Sequence, residues 1–123
     1  DILNSPVMVL AFIAFLTTMG REIFKDVEDV KGDKALGART LPILVGGAIS
    51  MNIARMFAAL GALSAVLPYM SRMFGEYYIV SAMPCIGVLL YSTTQKDPEG
   101  AQKRVKTGMF LGIFAFLVGA YFG

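Results

Sequence analysis

The stretch VMVLAFIAFLTTM, residues 7–19, runs directly into GREIFKDVEDVKGD, residues 20–33. An uncharged run able to enter a bilayer therefore ends in carboxylates at a regular spacing. Asp26, Asp29 and Asp33 stand at i, i+3 and i+7, and Glu22 lies four residues before Asp26. On a helix, residues three and four apart share a face, so these acids would form one stripe. Like charges on one face repel unless a cation sits among them. A hard divalent ion such as Mg²⁺ or Ca²⁺, which takes oxygen ligands, would neutralise the stripe. The alternative is a solvated juxtamembrane helix whose acids are balanced by Lys25, Lys31 and Lys34. Charge at the mouth of a membrane bundle tends to be functional, which strengthens the metal reading and leaves the solvated helix open beside it.

Working outward, 56% of the 123 residues are apolar, above the usual fraction for soluble domains. They gather in runs: Val7 to Met19, Ile43 to Leu67, Tyr77 to Leu90 and Met109 to Phe122. A span needs about 20 mostly apolar residues, so the second run qualifies outright and the others do so with their flanks. The chain therefore reads as an all-α membrane protein, a transmembrane helical bundle of about four helices with no soluble domain. Soluble helices would alternate with polar faces, and these largely do not. No basic leader or Ala-x-Ala site precedes the first run, and no Met opens the chain, so it is expected to begin inside a longer protein. Cys85 is the single cysteine and lies in an apolar run, which excludes disulfides and cysteine metal sites within the chain. It reads as a small buried apolar side chain. The absence of histidine excludes imidazole catalysis and the usual zinc sites here.

With four spans, the linkers from Arg21 to Arg39 and from Thr93 to Lys106 share one side. Between them they hold Arg21, Lys25, Lys31, Lys34, Arg39, Lys96, Lys103, Arg104 and Lys106. The opposite side, Met70 to Glu76, holds only Arg72. This bias places the aspartate stripe in the cytoplasm, where diphosphate substrates and Mg²⁺ are met.

The first helix is expected to start near Pro6, lose its apolar face at Arg21 and continue to Lys31, with Gly32 and Gly37 favouring a turn. Leu41-Pro42-Ile43 re-enters the apolar phase ahead of Gly46 and Gly47. Arg55, near the cytoplasmic end of the second span with Asn52, either snorkels to the interface or points at an anionic group. Pro84 should kink the third span. Ala54, Ala58, Gly61 and Ala65 line one side of the second helix, and Gly108, Gly112, Ala115, Gly119 and Gly123 one side of the fourth. Small stripes let backbones approach closely, and these are expected to meet helices from outside the present sequence. Phe12, Phe15, Phe110, Phe114 and Phe116 read as core or lipid-facing. Tyr77, Tyr78, Tyr91 and Tyr121 fall near span ends, as interfacial aromatics do. There is no internal repeat and no low-complexity segment.

The run REIFKDVEDVKGDKALGARTLP, residues 21–42, resembles the second aspartate-rich motif of the UbiA-type intramembrane prenyltransferases. Asp26-x-x-Asp29-x-x-x-Asp33, followed by Gly37, Thr40-Leu41-Pro42 and a Gly-rich re-entry, is specific in combination. Among subfamilies the pattern is most similar to archaeal digeranylgeranylglyceryl phosphate synthases, which make the second ether bond of archaeal membrane lipids. The resemblance implies that residues 1–123 are the carboxyl-terminal half of a nine-helix bundle, with the motif at 26–33 following the sixth helix. The family's first aspartate-rich motif and its Tyr/Lys-bearing motif are absent, so this segment alone would hold half of a metal site and is expected to be inactive.

The resemblance further implies Mg²⁺ bridging carboxylates and diphosphate, with Asp29 and Asp33 as ligands and Asp26 as a ligand or an acceptor behind them. Lys25 and Arg39 are candidates to complete the diphosphate site; Lys34 is another, though a surface lysine explains it equally well. The free hydroxyl of geranylgeranylglyceryl phosphate would attack C1 of geranylgeranyl diphosphate. Implied partners are a prenyl diphosphate, a lipid acceptor, membrane lipids and the amino-terminal half of the same protein, with no nucleic acid. Prenyl transfer to an aromatic acceptor, a cation-binding transport module and a purely structural bundle are the rivals. A conduction path would need ionisable residues through the bilayer, and apart from Arg55 the charges stop at its edge.

Overall fold

A computed structural model describes residues 5–122, and its elements follow from local sequence. Ser5 accepts a hydrogen bond from the Met8 amide (3.2 Å) and Pro6 occupies the first turn, so helix α1, Pro6–Glu28, begins where its capping chemistry dictates. Two short helices follow, α2 (Val30–Ala35) and α3 (Leu41–Val45). Gly46, at φ 94, turns the chain from α3 into α4 (Gly47–Ser64). The remainder is α5 (Leu67–Met70), α6 (Glu76–Ser92) and α7 (Pro98–Phe122). No strand occurs among the described residues, in keeping with an all-α membrane bundle.

Three segments are long and apolar enough to cross a membrane: α1, α4 continued through α5 (Gly47–Met70), and α7. The fourth expected span, α6, has 17 residues with Pro84 inside it, at the lower limit of spanning length. The four long helices pack in a ring, α1 on α4, α4 on α6, α6 on α7 and α7 back on α1.

The small-residue stripes are used inside this ring, which corrects the expectation that they would meet helices from elsewhere. A Cβ at Gly20 would lie 3.1 Å from the Ala54 carbonyl oxygen, and one at Gly61 only 2.7 Å from the Thr17 methyl, so α1 and α4 run antiparallel in close approach. On the other side, a Cβ at Gly108 would meet Leu89 at 2.7 Å and one at Gly119 would meet Phe74 at 2.6 Å. Gly123, expected in the same stripe, lies outside the described residues. Without a hydrophobic drive between helices in lipid, dispersion at such near contacts holds the pairs together. The Thr17 hydroxyl donates to the Ile13 carbonyl (2.9 Å), so the Thr17 side chain is held in place. Gly61→Val in the full-length protein should therefore cost about 1–3 kcal/mol through overpacking. A lowered midpoint of thermal unfolding in detergent would show it, and an unchanged midpoint would refute this packing.

One buried cluster, around Phe24, Ala54, Ala58, Leu89, Ala101 and Val105, underlies the charged end. A second, around Ile13, Phe74, Tyr78, Ala82, Ala115 and Phe116, fills the other. Tyr78 belongs to this core instead of an interface. It is buried, its hydroxyl donates to the Ala65 carbonyl (2.6 Å), and Phe116 meets it edge-on. Tyr77, Tyr91 and Tyr121 are exposed, as are Phe12, Phe15, Phe110 and Phe114.

Both charged linkers lie at the same end of the bundle. Arg55 donates to the Gln95 carbonyl (2.9 Å) and to Asn52 Oδ1 (3.0 Å), stapling α4 to the α6–α7 loop. Its two terminal nitrogens are held in this way, while its Nε is buried without a hydrogen-bond partner. Lys103, on the polar turns of α7 ahead of its apolar segment, holds its proton more tightly than usual. Its hydrogen bond and charge pairing with Glu99 are the main causes, and Glu28 at the end of α1 adds to them.

Candidate functional site

The acidic stripe sits where α1 leaves its apolar segment. Asp29 breaks α1 from α2 at φ −93 and ψ 10, earlier than the turn expected near Gly32. The hydrogen-bond ladder nevertheless persists, because the Asp29 amide donates to the Lys25 carbonyl (2.9 Å) and the Asp33 amide to the Asp29 carbonyl (3.0 Å). The stripe is thus carried on nearly continuous helix. Gly37, at φ 75, closes it: its amide donates to the Lys34 carbonyl (3.2 Å) and that of Ala38 to the Asp33 carbonyl (2.9 Å). This paired closure needs a left-handed residue, which glycine supplies without strain.

Asp26 and Asp33 are half-buried, while Glu22 and Asp29 are exposed. Asp26, beyond the apolar segment, has its carboxyl pushed above the ordinary range. Burial is the main cause, followed by repulsion from Asp33, Glu22 and Asp29, with Lys25 acting in the opposite direction. Asp26 therefore feels its three acidic neighbours, as the spacing implies. Their balancing by Lys25, Lys31 and Lys34 takes no ion-pair form. Lys103–Glu99, at 3.0 Å, is the pair that closes among the described residues. Lys25, Lys34 and Arg39 are all exposed.

The donors on the stripe are carboxylate oxygens alone, the chemistry of a hard cation such as Mg²⁺ and not of zinc or copper. Among the described residues no three Cys, His, Asp or Glu side chains converge closely enough to hold a metal ion. The chain presents these carboxylates along a face and does not bring three of them together among the described residues.

The spacing has a continuation that sequence reasoning passed over. Met8, Phe12, Phe15 and Met19 precede Glu22, Asp26, Asp29 and Asp33 in the same alternation of four and three. All four of these apolar residues are exposed. The buried side of α1 consists of Ile13, Leu16, Thr17, Gly20, Ile23 and Phe24, packed toward the ring. One open face of α1 is thus apolar for most of its length and acidic at its end. The signal was present in the heptad-like spacing, but nothing local says which face is left open.

Arg21 was also passed over as a site residue. It is half-buried at the base of the stripe, and its Nε is buried with no hydrogen-bond partner. The Thr40 hydroxyl, at the start of α3, is likewise buried and unpartnered. Both lie at the charged end, where an anion would satisfy them.

A family model described as the UbiA prenyltransferase family matches residues 1–118. A digeranylgeranylglyceryl phosphate synthase of Methanopyrus kandleri is 42% identical over 118 residues, covering 92% of this chain and 44% of that protein. One from Pyrococcus furiosus is 39% identical over 114 residues, covering 90% and 41%. A solved structure reported for digeranylgeranylglyceryl phosphate synthase in membranes superposes with a TM-score of 0.85 at 34% identity, covering 94% of this chain and 43% of that one. The chain spans about two fifths of the length of these relatives.

Proposed function

This chain belongs to the UbiA prenyltransferase family, and from that premise we propose that it forms the carboxyl-terminal half of an intramembrane enzyme of archaeal ether-lipid synthesis. In this reading a geranylgeranyl group passes from its diphosphate to the free hydroxyl of geranylgeranylglyceryl phosphate. The charged end of the bundle faces the cytoplasm, as its Lys and Arg bias requires.

The observation that carries the reading is the open face of α1. A substrate with a long apolar tail and a diphosphate head matches a face that is apolar from Met8 to Met19 and acidic from Glu22 to Asp33. Asp29 and Asp33 would hold Mg²⁺, with Asp26 beside them. When bound, Mg²⁺ supplies charge stabilisation to the departing diphosphate. Arg21, whose Nε is buried without a hydrogen-bond partner, would with Lys25 hold diphosphate oxygens at the base of the stripe. Lys34 and Arg39, exposed on either side of the Gly37 closure, are the further cations this reading assigns to the same anion. Met19 would stand nearest the allylic carbon, with Phe15 and Phe12 further down the face along the apolar tail. The C1–oxygen bond breaks with its electron pair leaving on diphosphate, the acceptor hydroxyl oxygen bonds to C1, and the hydroxyl proton passes to an oxygen of the departing diphosphate.

The test is transfer by the full-length protein in liposomes, with labelled geranylgeranyl diphosphate and either geranylgeranylglyceryl phosphate or an aromatic acceptor such as 4-hydroxybenzoate. The expected result is Mg²⁺-dependent labelling of the glycerol lipid, lost on chelation and restored by Mg²⁺. Preferential labelling of the aromatic acceptor, or transfer indifferent to chelation, would overturn the assignment.

A further inference from the structure

Within the ring, the helices enclose a space that their own side chains do not fill. Tyr78 meets Phe116 edge-on at one level of the α6–α7 contact, and Leu89 lies against Gly108 at another. Between them stand Ala82, Cys85 and Gly112, whose small bulk leaves a cavity of about 50 Å³ against α1. Ala82, Cys85, Leu89 and Ala115 wall it, each no more than 2% exposed, so these walls are complete without help from outside the ring. The exposed residues of its lining are Ala14 and Ile113, which places its mouth in the seam between α1 and α7. Leu10, Ala14, Thr17 and Arg21 share one side of α1, so the seam runs from the mouth to the charged end.

Water gains little in this cavity. The space exceeds the roughly 10–15 Å³ that a water needs, but a water also needs free polar partners. The Thr17 hydroxyl donates to the Ile13 carbonyl (2.9 Å), the Tyr78 hydroxyl to the Ala65 carbonyl (2.6 Å) and the Cys85 thiol to the Gly108 carbonyl (3.2 Å). Every hydroxyl and thiol hydrogen on the wall is thus committed within the protein, and the space suits an apolar guest. A straight chain lying in the seam passes over the mouth and leaves the cavity unused. A methyl-branched chain lowers a branch into it. From this size, lining and mouth we propose that the cavity seats a methyl branch of an isoprenoid chain lying along the α1–α7 seam. Shape then separates isoprenoid from straight acyl chains. In the reading above the donor's tail has the open face of α1, which leaves the seam to the chain of the acceptor. The source of the chain rests on that reading, whereas the site itself does not.

The test uses full-length protein in a neutral detergent, titrated with phytanol or with hexadecanol, which share one main chain and differ only in methyl branches. Apparent affinities follow from the ligand dependence of the thermal unfolding midpoint. Ala82→Val fills the cavity from its wall, and Ala14→Leu fills it from the exposed rim, where the larger side chain strains nothing buried. Each should lower the ratio of phytanol to hexadecanol affinity about fourfold, the worth of one buried methyl. Comparing ratios between variants cancels the unequal partition of the two alcohols into detergent. Ala48→Leu adds the same bulk at an exposed position of α4 and should leave the ratio unchanged. A ratio unchanged in either filled variant, or an equal fall in Ala48→Leu, would overturn the proposal. A second measurement identifies the source of the chain. A raised KM for geranylgeranylglyceryl phosphate with unchanged kcat in Ala14→Leu assigns the seated chain to the acceptor. A lowered alcohol ratio with unchanged KM assigns it to an isoprenoid lipid of the membrane.

Discussion

Asp29→Ala and Asp33→Ala in the full-length protein are each expected to reduce prenyl transfer on the order of 100-fold or more while the bundle stays folded. The size follows from removing a charge-bearing group that acts directly on the developing negative charge of the leaving group. The intact fold follows from the surroundings. Asp29 is exposed, Asp33 is half-buried, and what each contributes to the helix is a backbone hydrogen bond that alanine retains. Substitutions of that kind usually move stability by about 0.5 kcal/mol or less. Near-normal turnover of either variant would remove that residue from the metal site.

Asp26 adds a pH dependence to the same experiment. Its carboxyl is raised by burial and by its acidic neighbours, so the ionised form that a metal requires is lost sooner on acidification than for an ordinary aspartate. Activity limited by this group should fall with decreasing pH from a higher starting point than a free carboxylate would give. For folding the sign is reversed. The folded protein holds this proton more tightly than the unfolded chain, so stability declines as pH rises from the unfolded toward the folded pKa.

Phe24→Ala should be the most destabilising single truncation at the charged end, at about 3–5 kcal/mol. Phe24 is fully buried one residue before Lys25, in the cluster that joins α1 to α4, α6 and α7. Deleting the ring leaves a cavity that Ala54, Ala58 and Ala101 are too small to fill by moving. The consequence reaches the site, because the same helix turn that buries Phe24 aims Asp26 outward. Denaturant or detergent unfolding of the full-length variant measures the loss. A cost below about 1 kcal/mol would place Phe24 outside the core.

Much of this was legible in the chain. The apolar runs announced a membrane bundle, since length and polarity decide what a bilayer accepts. The helical period put Glu22, Asp26, Asp29 and Asp33 on one face, and in the structure the other three acids help to push the Asp26 carboxyl above its ordinary range. The closing turn was legible too, because Gly37 offers the left-handed backbone that other residues avoid. These features depend on nearest neighbours along the chain, and local rules read them.

Tertiary structure decided which side of each element faced inward and what it touched there. The small-residue stripes found their partners within the ring, Tyr78 turned to the core, and Arg55 tied α4 to a loop carbonyl. Arg21, as plain a membrane-edge arginine in sequence as Arg39, became the half-buried cation at the base of the stripe. The outward faces of α1 and α7 both carry exposed apolar residues. Their separate exposure follows from helices that lie far apart in sequence and side by side in space. Helical periodicity establishes that a face exists, whereas the packing of distant segments determines whether it is filled.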